Sequence, residues 1–556
     1  MAKVTKPDAP DHLTMKLFAP GMTALHRAGL GGLACTLKAM ERHHKAGLLA
    51  DGKLPVPLVD GKPPWDIDDQ TVTLKFGTPE NAGDYLKKLF AFAFQIRSDG
   101  LISLPGQYEV EPSAAVLADL QSGFTLTFLQ HGRVRALAPE QTMVSYDPDG
   151  DGAPGVVVQY RKCTYFKHQN GWEELIDNNR CLRSDTIKVD GPLSPGTVIR
   201  HVAFTSDTGA EDPPERMLPL YFALVGCLSL PVNRGVAALL VPDVTDLKEF
   251  IYDRPAMTPT TASECQIANA ADAGFRAQVR LRNHPRRAAE VGLRAKESTS
   301  GTAIPGCYAM TFTPTPWASQ QKSRVATIHV APGNDKVLDR YARANANLPP
   351  RVVTRTVEEA VGRGRQRQVT TRQESFRTDS VVRPLIAENL ALGRPWYAGF
   401  VRLMTKINPA TDKPFRDQLQ YEQRGLHTMI ADDTMWDEAG ESTVVRAVHI
   451  ALRGRYAQIA EENEGKVVAM RNRFGGEYDK WRLAFAGAKT ANQFRKALCD
   501  LFSRAGRNTE LQKNWQTILP MLRATTWQHA RDLALLALCS YQSRENTESS
   551  DSTKPK

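Results

Sequence analysis

After about Tyr421 proline all but disappears from this chain: only Pro520 and Pro555 follow. A long stretch of helix formers without proline has one economical outcome, a set of antiparallel helices joined by short turns. Within TVVRAVHIALRGRYAQIAEENEGKVVAMRNRF, apolar residues recur at Val444, Val448, Leu452, Ile459, Val467, Val468 and Met470. ANQFRKALCDLFSRA, LQKNWQTILPMLR and WQHARDLALLALCSYQ continue the pattern. The spacing predicts a four- to five-helix bundle over 421–543, and the polar run 544–556 reads as a disordered tail.

Residues 1–420 have the opposite texture, rich in proline, threonine and valine. TVTLKF, FTLTFL, GVVVQYRKCTYF, TVIRHVAF, AQVRLR, ATIHVAP and RVVTRTV read as strands between turn formers. Helical patterns interrupt them at 21–49, 81–95, 219–229 and 337–346. The expectation is therefore α+β: a large mixed N-terminal body followed by an all-α C-terminal domain.

The glycines of AGLGGL near the N-terminus invite a phosphate-loop reading, but Met22, Leu25, Leu30, Leu33 and Leu37 recur at helical spacing straight through them. A helix with small residues that admit another backbone fits better than a dinucleotide fingerprint.

At 556 residues the chain exceeds one ordinary core, and its 42% hydrophobic and 24% charged content are those of a globular protein. The opening MAKVTKPDAPDH is unlike a signal peptide, and no run approaches the roughly 18–20 apolar residues of a spanning helix. Eight scattered cysteines without a C-x-x-C pair suit reduced thiols, so a cytoplasmic location is expected.

A formal charge of +10 points toward nucleic acid, anionic lipid or simply a basic surface. Four concentrations favour nucleic acid. Between Lys466 and Asp532, basic residues including Arg471, Arg473, Arg495 and Lys496 outnumber the acids Glu477, Asp479, Asp500, Glu510 and Asp532. RAQVRLRNHPRR supplies Arg282, Arg286 and Arg287. Gln320, Gln321, Lys322 and Arg324 follow Trp317, and GRGRQRQ alternates Arg363, Arg365 and Arg367 with Gly364, Gln366 and Gln368. Arginine grips phosphate or guanine edges and glutamine can read an adenine edge. The competing readings are a solvated basic face and a partner-free loop.

Catalytic and metal constellations do not assemble. Cys163, His168 and Cys181 match no common zinc spacing, and DPDGDG at 147–152 has the first half of a calcium loop but Val158 where the closing glutamate belongs. An acidic turn between two strands explains the latter. No nucleophile elbow, Walker loop or kinase set occurs. Neither an enzyme, a cofactor nor a metal site is expected.

LFAPGMTALHRAGLGGLACTLKAM at 17–40, NRGVAALLVPDVTDLKEF at 233–250 and WASQQKSR at 317–324 resemble the large subunits of type I CRISPR effector complexes (Cascade), of the type I-B or Myxan-like variety. The resemblance implies a non-catalytic large subunit of an RNA-guided antiviral surveillance complex. Its front domain would sit at the guide-handle end, recognise the target-flanking motif (PAM) and help open the duplex. Its helical domain, similar to the Cascade small subunit, would stabilise the target and displaced strands of the R-loop. Implied partners are CRISPR RNA, double- and single-stranded target DNA, backbone subunits, small-subunit copies and a recruited helicase-nuclease or other effector. Such small-subunit copies would come from internal initiation at Met429 or Met435. The alternatives are a stand-alone nucleic-acid-binding regulator with a helical oligomerisation domain and an enzyme built from dispersed residues.

Overall fold

In the computed structural model, the described residues are 10–49, 54, 61–130, 132–147, 155–189, 193–195, 211–233, 235–287, 304–315, 318–361, 368–405, 407–408, 413–414 and 416–542. They divide into two compact units, 1–334 with 352–378, and 335–351 with 379–556. The fold is α+β.

The AGLGGL glycines lie inside one helix, Ala24–Lys45, which starts at a Thr23 cap and buries nearly all of its middle. It packs on the Pro214–Gly226 helix with almost no space between backbones. A Cβ at Gly226 would stand 1.8 Å from the Ala28 carbonyl oxygen, and one at Gly32 would stand 2.3 Å from that of Phe222. The glycines are thus packing residues.

The far end of Pro214–Gly226 is finished by a guanidinium rather than by solvent. Arg254, fully buried, donates to the carbonyls of Val225 (2.9 Å), Gly226 (2.9 Å) and Cys227 (2.7 Å), and to Thr258 Oγ1 (2.7 Å). A cation here satisfies carbonyls that the helix leaves over and faces the negative end of its dipole. Burial pulls its pKa down to about 10.

The first unit carries two four-stranded sheets. One is an antiparallel meander of Leu228–Asn233, Val236–Pro242, Cys307–Thr315 and Ala318–Val330. In the other, Arg135–Tyr146 pairs antiparallel with Val156–Phe166, which pairs in parallel with Gln368–Thr378, with Arg351–Val361 outermost. DPDGDG therefore lies in the connection between two antiparallel strands, though residues 148–154 are outside the described ones. A smaller sheet joins His12–Lys16, Thr71–Lys75 and Trp65–Ile67.

Two expected strands form no strand: one is helix end and turn, the other helix. FTLTFL falls at the end of the Ala114–Leu126 helix, where Ser113 caps the start and the alanine-rich run ahead propagates through Phe124. AQVRLR lies within the Ala270–Asn283 helix, which opens at Asn269 with Oδ1 accepting from Asp272 N at 2.8 Å. TVIRHVAF is outside the described residues. TVTLKF, GVVVQYRKCTYF, ATIHVAP and RVVTRTV do form strand.

In the second unit, the C-terminal run comprises helices Ala439–Glu462, Val467–Ala486, Ala491–Arg504, Thr509–Met521 and Trp527–Ser540. This unit also includes residues upstream of the expected boundary at Tyr421, and the reasons are specific. Asp532 accepts from Gly399 N (2.7 Å) and Val401 N (3.1 Å), and Glu441 accepts from Tyr397 Oη at 2.8 Å. Glu422, on the Arg416–Ile430 helix, accepts from Val381 N (2.7 Å) and Ser380 Oγ (2.7 Å) at the start of Arg383–Ala391. Buried carboxylates bind proline-containing segments to the helices.

Candidate nucleic-acid interface

The arginines of RAQVRLRNHPRR do not form one exposed row. Arg287 is buried and its Nε donates to Asp253 Oδ1 at 3.0 Å, with Nη2 on Asp253 Oδ2 as well. Burial raises the Asp253 pKa against the opposing effect of Arg287. Arg286 lies 3.6 Å over the Tyr252 ring, and Arg282 is half-buried. Of the three, Arg287 is fully engaged in an internal ion pair.

Gln320, Gln321, Lys322 and Arg324 lie on Ala318–Val330, the edge strand of the meander, just after its hairpin connection. Lys322 is in register with Pro314, and Arg324 with Phe312; the register shifts on both sides of this pairing. Their side chains are outside the described residues, as is that of Gln368 at the start of Gln368–Thr378. Arg363, Arg365, Gln366 and Arg367 are outside the described residues altogether; in the chain they connect two neighbouring strands. Gln320–Arg324 thus follow a hairpin connection, and Arg363–Arg367 fall in the chain between two neighbouring strands.

The helical unit sorts its cations into two kinds. Arg455 holds Glu477 at 2.9 Å, Arg482 holds Asp479 at 3.2 Å, and Arg504 holds Asp500 at 2.8 Å. Burial opposes the charge of Glu477, yet the bonds from Arg455 and Trp481 bring its pKa below the usual value. Arg495 donates through Nε to the Leu522 carbonyl at 2.7 Å and fastens its helix to the end of Thr509–Met521. Arg471, Arg473 and Lys496 are exposed. These three present charge outward, while Arg495 serves the fold.

The metal-like residues disperse. Both ring nitrogens of His168 are buried without a hydrogen-bond partner among the described residues, and Phe94, Phe166 and Tyr221 surround the ring. Among the described residues no group of three or more His, Cys, Asp or Glu is placed to hold a metal ion. All eight cysteines are free thiols, with only Cys499 exposed. No helix among the described residues is long and apolar enough to cross a membrane.

Composition missed Arg254 and the ring cluster of Tyr456, Phe474 and Tyr541. The four-residue spacing of Phe474 and Tyr478 on Val467–Ala486 is the one local signal of that cluster.

Two family models match, one in each compact unit. Residues 14–221 match the DevT N-terminal domain and residues 432–556 the DevT C-terminal domain, a two-domain class of protein. The chain is also 34% identical over 564 residues to the CRISPR-associated protein Cas8a1/Csx13 of Myxococcus xanthus (strain DK1622), spanning 98% of this chain and 91% of that protein. The chain belongs to this DevT-type Cas8a1/Csx13 family of CRISPR-associated proteins.

Proposed function

We propose that the chain is the non-catalytic large subunit of a type I CRISPR RNA-guided surveillance complex. The carrying observation is the family relationship over nearly the whole length. The exposed Arg471, Arg473 and Lys496 on the helical unit support it. In this reading those cations follow phosphates of the target or displaced strand, largely without regard to sequence. Sequence is read by the guide, and the protein reads a short flanking motif. The segments at Gln320–Arg324 and Arg363–Gln368 are the proposed readers, because each mixes arginine with glutamine and lies next to or between neighbouring strands in the chain. Arg282 and Arg286 are proposed as auxiliary phosphate contacts. A helicase-nuclease or other effector is then recruited to the opened target.

Small-subunit copies from internal initiation at Met429 or Met435 are part of the proposal. The five helices from Ala439 to Ser540 follow both methionines, so either start would retain all of them. Intact mass measurement of a complex expressed from the native gene decides whether such a product exists.

Expression of the full chain with the products of its neighbouring genes tests the main reading. Co-purification with backbone subunits and a guide RNA of uniform length is the expected result. A chain that purifies free of RNA and of those subunits would overturn it.

A further inference from the structure

The second unit contains a cavity of about 360 Å³ formed by the Arg416–Ile430, Ala439–Glu462 and Val467–Ala486 helices and the end of Trp527–Ser540. Four of its nine described lining residues are aromatic. Tyr456 meets Phe474 edge to face, with centroids 5.0 Å apart at 76°, and leans on Tyr541 at 5.3 Å and 36°. Tyr478 closes another side, its hydroxyl 3.5 Å from Cys539 Sγ. Gln420, which is exposed, and Gln423 supply amides; the Gln423 Nε2 donates to the Tyr541 carbonyl, which leaves its Oε1 as an acceptor. No described lining residue bears a charge.

These walls are held from behind. His449 abuts Tyr541 edge-on at 5.6 Å, and its Nε2 lies 3.0 Å from the Ala537 carbonyl and 3.2 Å from Ser540 Oγ. His427 stacks on His449 with only 6° between the planes. A wall fixed in advance loses little conformational freedom when a flat guest enters.

What surrounds the cavity indicates the guest. Phe474 and Tyr478 are one turn apart on Val467–Ala486, and Arg471 is one turn before Phe474 on the same side of that helix. Arg471 and Arg473 are exposed. A pocket with uncharged, aromatic and amide walls beside outward arginines suits a guest with a flat face, polar edges and a negatively charged backbone. That combination is a nucleotide of a single strand. Sequence-tolerant single-strand binding uses the same elements, an aromatic platform beside a cationic track.

We infer that this cavity receives one unstacked nucleobase of single-stranded nucleic acid, with the Phe474 ring against its face and Tyr456, nearly perpendicular to Phe474, at its edge together with Tyr541, Gln420 and Gln423. The inference rests on the proposed nucleic-acid role and adds a base-binding site to it.

Two measurements on the full-length chain test it. In the first, a polythymidine strand carrying one iodouracil is irradiated with the unaltered protein and the cross-linked peptides are mapped. Cross-links at Tyr456, Phe474, Tyr478 or Tyr541 are expected. In the second, Phe474→Leu keeps an apolar wall without the ring; it should weaken binding to intact polythymidine about tenfold and leave binding to an abasic strand of equal length unchanged. Gln420→Ala, a substitution at an exposed position, should lower affinity for the intact strand only and guards against a folding artefact.

If both variants bind like the unaltered chain and cross-links map elsewhere, the pocket assignment is wrong while salt-dependent binding leaves the broader function standing. If neither strand binds even at low salt, the pocket and the nucleic-acid reading fall together.

Discussion

A Cβ built on Gly29 would stand 1.9 Å from the carbonyl oxygen of Pro219. Neither partner can retreat easily, because the Ala24–Lys45 and Pro214–Gly226 helices are both buried around this point. Gly29→Ala therefore forces the helices apart, and its small gain in helix propensity does not compensate. We expect a loss of about 3 kcal/mol. Gly476→Ala is the control, since it is helical, exposed and has nothing within 4 Å of a new Cβ. That change should stabilise by about 0.5–1 kcal/mol. Urea unfolding of the two variants compares them directly; an unchanged midpoint for Gly29→Ala would contradict the close approach.

Arg254→Lys should destabilise by about 3 kcal/mol although it preserves the charge. Lysine cannot reproduce the planar fork that reaches the Val225, Gly226 and Cys227 carbonyls together, so buried acceptors would be left unpaired. Denaturant titration measures the loss, and a variant as stable as the parent would show that the fork is dispensable.

His168 imposes a pH dependence with a definite sign. Burial first, and Lys167 second, push its pKa down to about 3 from 6.5. The unfolded chain takes up this proton before the native one does. Stability from this residue is complete above about pH 6.5 and falls by about 1.4 kcal/mol per unit below it, until about pH 3. His168→Phe suits the ring cage of Phe94, Phe166 and Tyr221 and should flatten the acid limb by that amount. Stability curves of both proteins from about pH 7 to about pH 4 make the comparison; parallel curves would refute the assignment.

Arg471, Arg473 and Lys496 replaced together by glutamate should weaken single-strand binding and flatten the slope of log affinity against log salt by about 2. Arg495→Glu should act differently, because its Nε bond to the Leu522 carbonyl is lost and the helices it joins loosen. Salt titrations with thermal melts separate the two. Identical salt slopes for the triple variant and the parent would remove these residues from the interface.

How far the chain could be read from its letters depended on the range of the forces involved. Helices after Ala439 were plain because missing proline and repeating apolar positions are local signals. The Gly29–Gly32 reading succeeded for the same reason: leucines keep helical time through the glycines. FTLTFL misleads because its four β-favouring residues, Phe124, Thr125, Thr127 and Phe128, follow a helix that Ser113 caps and that already runs into Phe124. AQVRLR failed because alternating arginines imitate a strand, while Asn269 had already started a helix. The contacts of Asp532 and Glu422 with residues 379–401 span long loops of sequence, and no local pattern announces them. Arg287 likewise looked like surface charge until Asp253 was placed beside it. Phe474 and Tyr478 show their common face in the sequence, but Tyr456 and Tyr541 join them only through packing.

The path of the chain between its two units sets a timetable for synthesis. Crossings fall at 334/335, 351/352 and 378/379, so each unit contains residues made after the other has begun. When residue 334 leaves the ribosome, the sheet built on Val156–Phe166 still lacks Arg351–Val361 and Gln368–Thr378. Before those strands arrive, the ribosome has already made Asp335–Asn347, a helix whose own unit resumes only at Asp379. A nascent chain must therefore carry an unpaired sheet edge and an orphan amphipathic helix at once. Translation that stops soon after Thr378 would finish the first unit and strand that helix, whereas a stop before Arg351 would complete neither.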